Sequence, residues 1–211
     1  GEKTYGFEQA YLDRTRTAFG AALEPVDFKN APDPARQLIN TWVEDQTEKR
    51  IKDLLDTLAQ VHGEWRLHMV GDGSDMERCQ AYGRELGIDG RIVWHGWQAD
   101  PWRHVRERIG SVSAVLLTSA FEGLGMTLLE AMSYGVYCVS SDCPWGPADI
   151  IREGCNGGLY EPGDLQCLQR ILQRVVDNGV SADPHGIKQS IETFYVDSYY
   201  LRFREAVSAA L

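Results

Sequence analysis

The chain has 211 residues, 43% of them hydrophobic and 10% aromatic, which is typical of a globular protein with a sizeable buried core. Its 21 basic and 31 acidic residues give a net charge of −10, which excludes a broad nucleic-acid-binding surface because such a surface needs clustered positive charge. The five cysteines are odd in number and show no CxxC spacing, which argues against a disulfide framework and a zinc knuckle.

The sequence carries no pattern that targets it to a membrane. It opens without a charged-then-apolar signal peptide, and no apolar run approaches the length of a membrane span. We therefore expect a cytoplasmic protein without a transmembrane segment. A peripheral association with the inner face of the membrane stays open.

Residues 1–48 are predicted to be mostly helical. Tyr5–Gly20 has the pattern of a polar amphipathic helix stopped by glycine, and a short, extended piece, AALEPVDF, follows. The stretch from Asn30 to Val61 then begins with an Asn/Pro/Asp helix start. Its apolar residues recur at helical spacing, first at Leu38, Trp42 and Val43 and then at Ile51, Leu54, Leu55 and Leu58.

From Trp65 onward, apolar strands alternate with helical stretches. The predicted strands are WRLHMVG, RIVWHGW, SAVLLTS, YCVSSD and GGLYEPGD, and helical patterns follow each of them. These repeated units predict an α/β fold, with a Rossmann-like parallel sheet that has helices on both faces. Ligands of such sheets bind at the carboxyl ends of the strands, so the turns there are the candidate sites.

The first candidate turn is VGDGSD, in which Gly71 and Gly73 directly follow a strand. Glycine allows the backbone to approach a ligand closely. Many strand-to-helix turns use glycine and aspartate for geometry alone, so a structural role is an equal alternative here.

The second candidate turn is SAFEGLGMTLLEAMSYG, Ser119–Gly135. The helix start after Gly125 leaves backbone amides that can bind a phosphate or diphosphate without a lysine. Glu130 lies roughly 7–8 Å along the helix, where its carboxylate can accept hydrogen bonds from sugar hydroxyls. Glu122 precedes the turn on the other side of the anion site. Alternatively, Glu122 is a helix-start acid and Glu130 a solvated helix residue.

Other chemistries find less support. The five histidines lack the spacing of a metal site, and no GxSxG elbow surrounds Ser119 or Ser141. The aromatic residues Trp94, Trp97 and Trp102 suit either base stacking or packing at the sheet edge, and packing is the commoner role.

From about Lys49 to the C-terminus, the chain resembles the C-terminal, nucleotide-sugar-binding half of retaining GT-B glycosyltransferases of family 4. The resemblance is carried by VGDGSD, RIVWHGW, TSAFEGLGMTLLEAMSYG, VSSD and NGGLYEPGD, in the order of that family. It implies a donor-binding domain over residues 49–211 and a retaining transfer of a hexose, galactose, from a UDP-sugar to a lipopolysaccharide core sugar. It implies no metal or other cofactor. A nucleotide-sugar-binding or purely structural scaffold without turnover is the alternative.

The resemblance also implies roles for individual residues. The first glutamate of the E-x7-E signature, Glu122, lies against the donor sugar as the expected catalytic residue, and the second, Glu130, holds the nucleotide ribose. The turn that meets the diphosphate consists of Gly123, Leu124, Gly125, Met126 and Thr127. The loop near the base consists of His95, Gly96 and Trp97.

The chain departs from this family near its start. Lys49 matches a lysine that neutralises the diphosphate, but Trp42 stands at the position of the partner arginine and the strand before it is missing. The N-terminal acceptor-binding half is absent. In its place, residues 1–48, with EKTY, VDF and INTWV, resemble an internal segment of serpins that supplies helices and one sheet strand. Because the two resemblances meet at EKRIKDLL, we interpret the chain as a chimera.

Overall fold

Six parallel strands form one sheet in the centre of the structure, in the order β3-β2-β1-β4-β5-β6. The computed structural model describes residues 36–43 and 50–210. The strands are β1 (Arg36–Val43), β2 (Trp65–Asp72), β3 (Ile92–Gly96), β4 (Ala114–Leu117), β5 (Cys138–Ser141) and β6 (Gly157–Tyr160). The strand order reverses between β1 and β4, and the ligand crevice of Rossmann-like sheets lies at the carboxyl ends of the strands at such a point.

Helices connect the strands. In the part of the chain that the structure describes, they are α1 (Ile51–Leu58), α2 (Met76–Glu85), α3 (Pro101–His104), α4 (Met126–Ser133), α5 (Pro147–Ile150), α6 (Leu165–Asn178), α7 (Pro184–Ser190) and α8 (Val196–Ala210). Helix α3 continues as a π-helical turn over Val105–Ile109, and short 3-10 turns span Asp89–Arg91 and Glu192–Phe194.

The helices cover both faces of the sheet, as the sequence predicts. On one face, α1, α2 and α6 pack against a cluster that includes Leu67, Met69 and Leu116. On the other face, α3, α4, α5 and α7 pack against a cluster that includes Val115 and Leu117. Both clusters consist mainly of buried aliphatic side chains, so the sheet is covered on both sides.

The helix predicted over Arg36–Val43 is wrong, because this segment is the central strand β1. Residues Leu38 and Ile39 are adjacent and both fully buried, one on each face of the sheet. The backbone of β1 pairs with β2 on one side and with β4 on the other, so its hydrogen-bonding groups have partners in both neighbouring strands. The strand reported missing from the sequence is therefore present, and the serpin-like segment supplies it.

The predicted elements after Trp65 are confirmed, and so is the second apolar helix face. In α1, Ile51, Leu54, Leu55 and Leu58 are all buried. The predicted helix Tyr5–Gly20, the extended piece after it and Lys49 lie outside the described residues. No helix among residues 36–43 and 50–210 is long and apolar enough to cross a membrane.

Candidate functional site

The glycine turn after β4 lies at the carboxyl edge of the sheet, where the strand order reverses. Gly125 precedes α4 with a φ of +78°, a conformation that disfavours residues with a Cβ, and it is buried. Its carbonyl accepts from the amide of Leu128 at 2.9 Å. Within the described residues, the amides of Gly125, Met126 and Thr127 have no backbone acceptor, and the N-cap residue, Gly125, has no side chain to accept from them. The helix start thus offers a set of donors suited to an anion.

Glu122 lies half-buried just before this turn, and the sheet fixes its orientation. The hydroxyl of Ser119 donates to Glu122 Oε1 at 2.6 Å. Ser119 is itself fully buried, and its carbonyl accepts a hydrogen bond from the hydroxyl of Ser141 on β5. The Glu122 carboxylate is thereby connected to the ends of two neighbouring strands.

Glu130 lies half-buried on α4 and is held from α3. The indole Nε1 of Trp102 donates to Glu130 Oε2 at 3.1 Å. Trp102 is only 7% exposed, and its ring stacks on that of Tyr134 with centroids 5.1 Å apart. From the sequence, base stacking and packing are alternatives for Trp102, and this hydrogen bond is not predicted. Nothing in the local pattern indicates that a residue 28 positions away in sequence meets Glu130.

Three histidines form a hydrogen-bonded chain that runs from β2 through β3 to α3. His68 Nδ1 and His95 Nε2 are 2.8 Å apart, His95 Nδ1 and His104 Nε2 are 2.9 Å apart, and His68 Nε2 lies 2.7 Å from the Oε1 of Gln37. If each Nε2 carries a proton, every histidine donates to the next group in the chain and all three rings are neutral. Burial, followed by the charge of His104, lowers the pKa of His95.

The predicted base loop is connected through α3 to Glu130, the glutamate predicted for the ribose. His95 and Gly96 end β3, Gly96 has a φ of +66°, and the side chain of Trp97 is 64% exposed. His104 and Trp102 are both on α3, so one short helix contacts His95 at one end of the region and Glu130 at the other. With strands about 4.8 Å apart, β3 lies roughly 14 Å from β4, a span that suits an extended nucleotide.

The first glycine turn lies at the same edge of the sheet, with a different role for each glycine. Gly71 is the partner of Trp42 in the β1–β2 pairing and has a φ of +138°. The amide of Gly73 donates to Asp72 Oδ1 at 2.8 Å, so the turn uses this donor internally.

The cation predicted for the diphosphate is not part of the described site, because Lys49 lies outside the described residues. The next residue, Arg50, forms an ion pair with Asp53, at 2.5 Å between Nη2 and Oδ2. Among residues 36–43 and 50–210, no group of three or more histidine, cysteine, aspartate or glutamate side chains has an arrangement that could hold a metal ion.

Comparison with known proteins shows two similarities along the chain. A model of the family Serpin (serine protease inhibitor) matches residues 1–70. Human serpin B13 is 57% identical over 54 residues, which are 26% of this chain and 14% of that protein. The serpin similarity thus includes β1 and α1, which here belong to the sheet and to one of its covering helices.

The second similarity covers most of the chain. Lipopolysaccharide 1,6-galactosyltransferase of Escherichia coli K12 is 44% identical over 215 aligned residues, which cover 98% of this chain and 60% of that protein. The enzyme of the same name from Salmonella typhimurium LT2 is 52% identical over 164 residues, covering 78% of this chain and 46% of that protein. The chain therefore spans about half the length of these curated relatives.

Solved structures agree with this similarity. The apo form of the lipopolysaccharide outer core galactosyltransferase WaaB matches with a TM-score of 0.82 and 45% identity, over 90% of this chain and 56% of that one. Anabaena Alr3699/HepE in complex with UDP and glucose shares the fold, with a TM-score of 0.66 and 19% identity over 89% of this chain and 55% of that one. The model of the family Glycosyl transferases group 1 matches residues 41–178. The chain belongs to this glycosyltransferase family, with a GT-B-type, Rossmann-like sheet.

Proposed function

We propose that this chain is the donor-binding part of a retaining glycosyltransferase that moves a hexose, galactose, from a UDP-sugar to a lipopolysaccharide core sugar. One observation carries the proposal: the start of α4 presents amides without backbone acceptors at the reversal of strand order, between Glu122 and Glu130. The names of the galactosyltransferase relatives support the sugar and the acceptor.

The charges of the site suit the parts of such a donor. The amides at the start of α4 point toward an anion, and the helix dipole favours negative charge there, so the diphosphate takes this place. A carboxylate at the start of α4 itself would repel the diphosphate. Glu122 and Glu130 flank the helix start and accept hydrogen bonds from hydroxyls of the donor sugar and of the ribose, respectively. Since Trp102 holds Oε2 of Glu130, the carboxylate has a fixed direction before the nucleotide binds.

The proposed reaction breaks the bond between the anomeric carbon and the oxygen of the β-phosphate and forms a bond from that carbon to a hydroxyl oxygen of the acceptor sugar. The proton of this hydroxyl passes to the departing phosphate oxygen, so that UDP is the leaving group. Negative charge develops on that oxygen as the bond breaks, and fixed dipoles near it stabilise the transition state. The turn over Gly123–Thr127 supplies such dipoles, and Lys49 is the cation that we assign to the same phosphate. Our proposal requires no metal and no other cofactor. We place the reaction in the cytoplasm.

A second candidate function is binding of the nucleotide-sugar without turnover. The observation in its favour is that the chain spans 60% and 46% of the two galactosyltransferase relatives. A donor site of this kind needs an acceptor site opposite it before transfer can occur. We therefore expect binding of the donor by this chain and little or no transfer by the chain alone.

Calorimetric titration of the chain with UDP tests the donor site. We expect saturable heat, and we expect the variant Glu130→Gln to weaken the affinity for UDP at least about tenfold, because the ribose hydroxyls then meet a neutral amide instead of a charged carboxylate. The exposed Glu205 on α8 provides a matched control, and Glu205→Gln should bind UDP like the parent chain. No heat at millimolar UDP would count against the proposal. Transfer of radiolabelled galactose to a lipopolysaccharide core acceptor then separates an enzyme from a binder.

A further inference from the structure

Two exposed aromatic rings stand together beside the glycine turn. The rings of Phe121 and Trp145 meet edge to face, with centroids 5.0 Å apart and an interplanar angle of 83°. Phe121 is 47% exposed and Trp145 is 67% exposed. Phe121 directly precedes Glu122, so the pair, which we call the aromatic platform, lies next to the proposed donor site.

The exposure of Trp145 is fixed by the backbone around it. Trp145 has a φ of +60°, a left-handed conformation that is uncommon for a residue other than glycine. The chain is anchored on both sides, because Cys143 before it and Gly146 after it are buried. At Gly146 a Cβ would collide with the backbone of Leu124, so the loop after β5 rests directly on the glycine turn. Strained backbone of this kind is typical of binding sites.

We propose that the aromatic platform binds the ring of a pyranose sugar. One face of a pyranose carries several C–H groups, and these pack against the face of an indole while the hydroxyls around the ring remain free for hydrogen bonds. The carboxylate of Glu122 lies one residue from Phe121 and supplies an acceptor for such hydroxyls. An apolar surface next to a few fixed polar groups is the usual composition of a small-molecule site.

The charge around the platform favours a neutral sugar over an anionic membrane surface. Glu122, Asp142 and Asp149 lie on the two segments that carry the platform, and the whole chain has a net charge of −10. Like charges would repel acidic lipid headgroups, whereas a neutral hexose carries no charge. The inference rests on the proposed function for the choice of galactose as the probe.

The sugar can come from the donor or from the acceptor, and two measurements separate these sources. Saturation-transfer NMR with methyl β-D-galactopyranoside, with and without UDP, detects a free sugar on the platform. Calorimetry with UDP and with UDP-galactose detects the donor sugar. The variants are Trp145→Ala, Phe121→Ala and the conservative Trp145→Tyr. Phe203→Ala is the control, because Phe203 is 58% exposed and lies on α8, outside the two segments that carry the platform.

For an acceptor sugar, we expect the galactoside signal to fall about fivefold in Trp145→Ala and Phe121→Ala and to persist in Trp145→Tyr and Phe203→Ala. For the donor sugar, we expect the same pattern in the affinity for UDP-galactose, with the affinity for UDP unchanged. The inference is overturned if Trp145→Ala leaves the binding of both sugars unchanged. It is overturned as well if the parent chain gives no galactoside signal and binds UDP-galactose no more tightly than UDP. It is also overturned if Trp145→Ala changes only the sedimentation of the chain, since the platform would then join two copies. If the parent chain does not bind UDP, that result overturns the proposed function instead.

Discussion

Trp102 on α3 donates its indole N–H to Glu130 on α4 at 3.1 Å, which joins the helix after the predicted base loop to the glutamate predicted for the ribose. Trp102 is a positioning residue in this arrangement. It holds one oxygen of the Glu130 carboxylate and thereby fixes the direction of this group at the proposed nucleotide site.

Trp102→Phe should weaken binding of UDP about tenfold, since it removes one hydrogen bond to a charged group. The same substitution should have little effect on binding of 2′,3′-dideoxy-UDP, which lacks the hydroxyls that Glu130 is proposed to accept. Calorimetric titration of both ligands gives this comparison. A purely structural role would weaken both ligands equally.

Trp65→Phe is the matched control for this substitution. Trp65 is 2% exposed and donates its indole N–H to the carbonyl of Val61 at 3.1 Å, at the amino end of β2. The Trp65→Phe substitution should lower the free energy of unfolding as Trp102→Phe does and leave the binding of UDP unchanged.

Ser119→Ala should separate the sugar from the nucleotide in the binding of the donor. The substitution removes the hydroxyl that donates to Glu122 Oε1, so the carboxylate loses its fixed direction. We expect the affinity for UDP-galactose to fall about fivefold and the affinity for UDP to stay the same. Ser190→Ala, which removes a buried hydroxyl bonded to the carbonyl of Ile187, should change neither affinity. Equal losses for both ligands after Ser119→Ala would contradict the role given to Glu122.

Gly125→Ala should reduce the binding of UDP because the start of α4 shifts. Gly125 has a φ of +78°, and a Cβ there would lie 3.3 Å from Cδ1 of Leu128. We expect a loss of about 1 kcal/mol or more in the free energy of unfolding and a weaker affinity for UDP. Gly87 has a φ of +71° with no atom within 4 Å of its Cβ position, so Gly87→Ala carries the same backbone strain away from the site. It should destabilise the chain similarly and bind UDP normally.

The histidine chain predicts a dependence of stability on pH. The pKa of His95 is lowered from its usual 6.5 by burial and by the charge of His104. Below pH 6.5 the unfolded chain therefore binds a proton at this position that the folded chain resists. The free energy of unfolding should be highest above this pH and should fall as the pH drops toward the lowered pKa. Urea unfolding between pH 5 and 8 measures the slope.

His95→Gln should reduce this slope, because the titrating group is gone. The exposed His62 supplies the control, and His62→Gln should retain the slope of the parent chain. An unchanged slope in His95→Gln would assign the dependence to other groups.

Asn40 distinguishes the strand β1 from the helix that the sequence predicts. It is 3% exposed, and its side-chain amide donates to the carbonyl of Leu116 at 2.8 Å. Asn40→Asp removes this donor and buries a carboxylate, so we expect the free energy of unfolding at pH 7 to fall by about 3 kcal/mol or more. A helix with Leu38 and Trp42 facing inward would place Asn40 toward solvent and tolerate the change. Asn178→Asp at an exposed position should alter stability by less than about 1 kcal/mol, and chemical denaturation measures both.

The sequence predicts the sheet well because its strands after Trp65 are short apolar runs bounded by turn residues. Val115, Leu116 and Leu117 form such a run, and all three are buried as expected. The fold class follows from these runs, whereas the family follows from the resemblance that the motifs VGDGSD and TSAFEGLGMTLLEAMSYG carry.

The strand β1 was predicted wrongly because its apolar residues also fit a helical period. Gln37 and Asn40 interrupt the apolar run, and nothing local shows that both are buried. Gln37 meets His68 and Asn40 meets Leu116, contacts that exist only once the sheet has formed. The contacts of Trp102 and of the histidines were missed for the same reason, since each joins residues from different elements.

The β1–β4 pairing has a consequence for the cooperativity of the fold. Within the described residues, the strands β3, β2 and β1 are joined to β4, β5 and β6 by a ladder of only three residue pairs, Leu38–Ala114, Ile39–Val115 and Asn40–Leu116. A donor nucleotide placed as proposed would contact the end of β3 on one side of this ladder and the turn after β4 on the other. The binding free energy of the nucleotide would then add to the stabilisation that the three pairs give to the connection between the two halves of the sheet. Amide exchange in β1 should therefore slow when the nucleotide is bound.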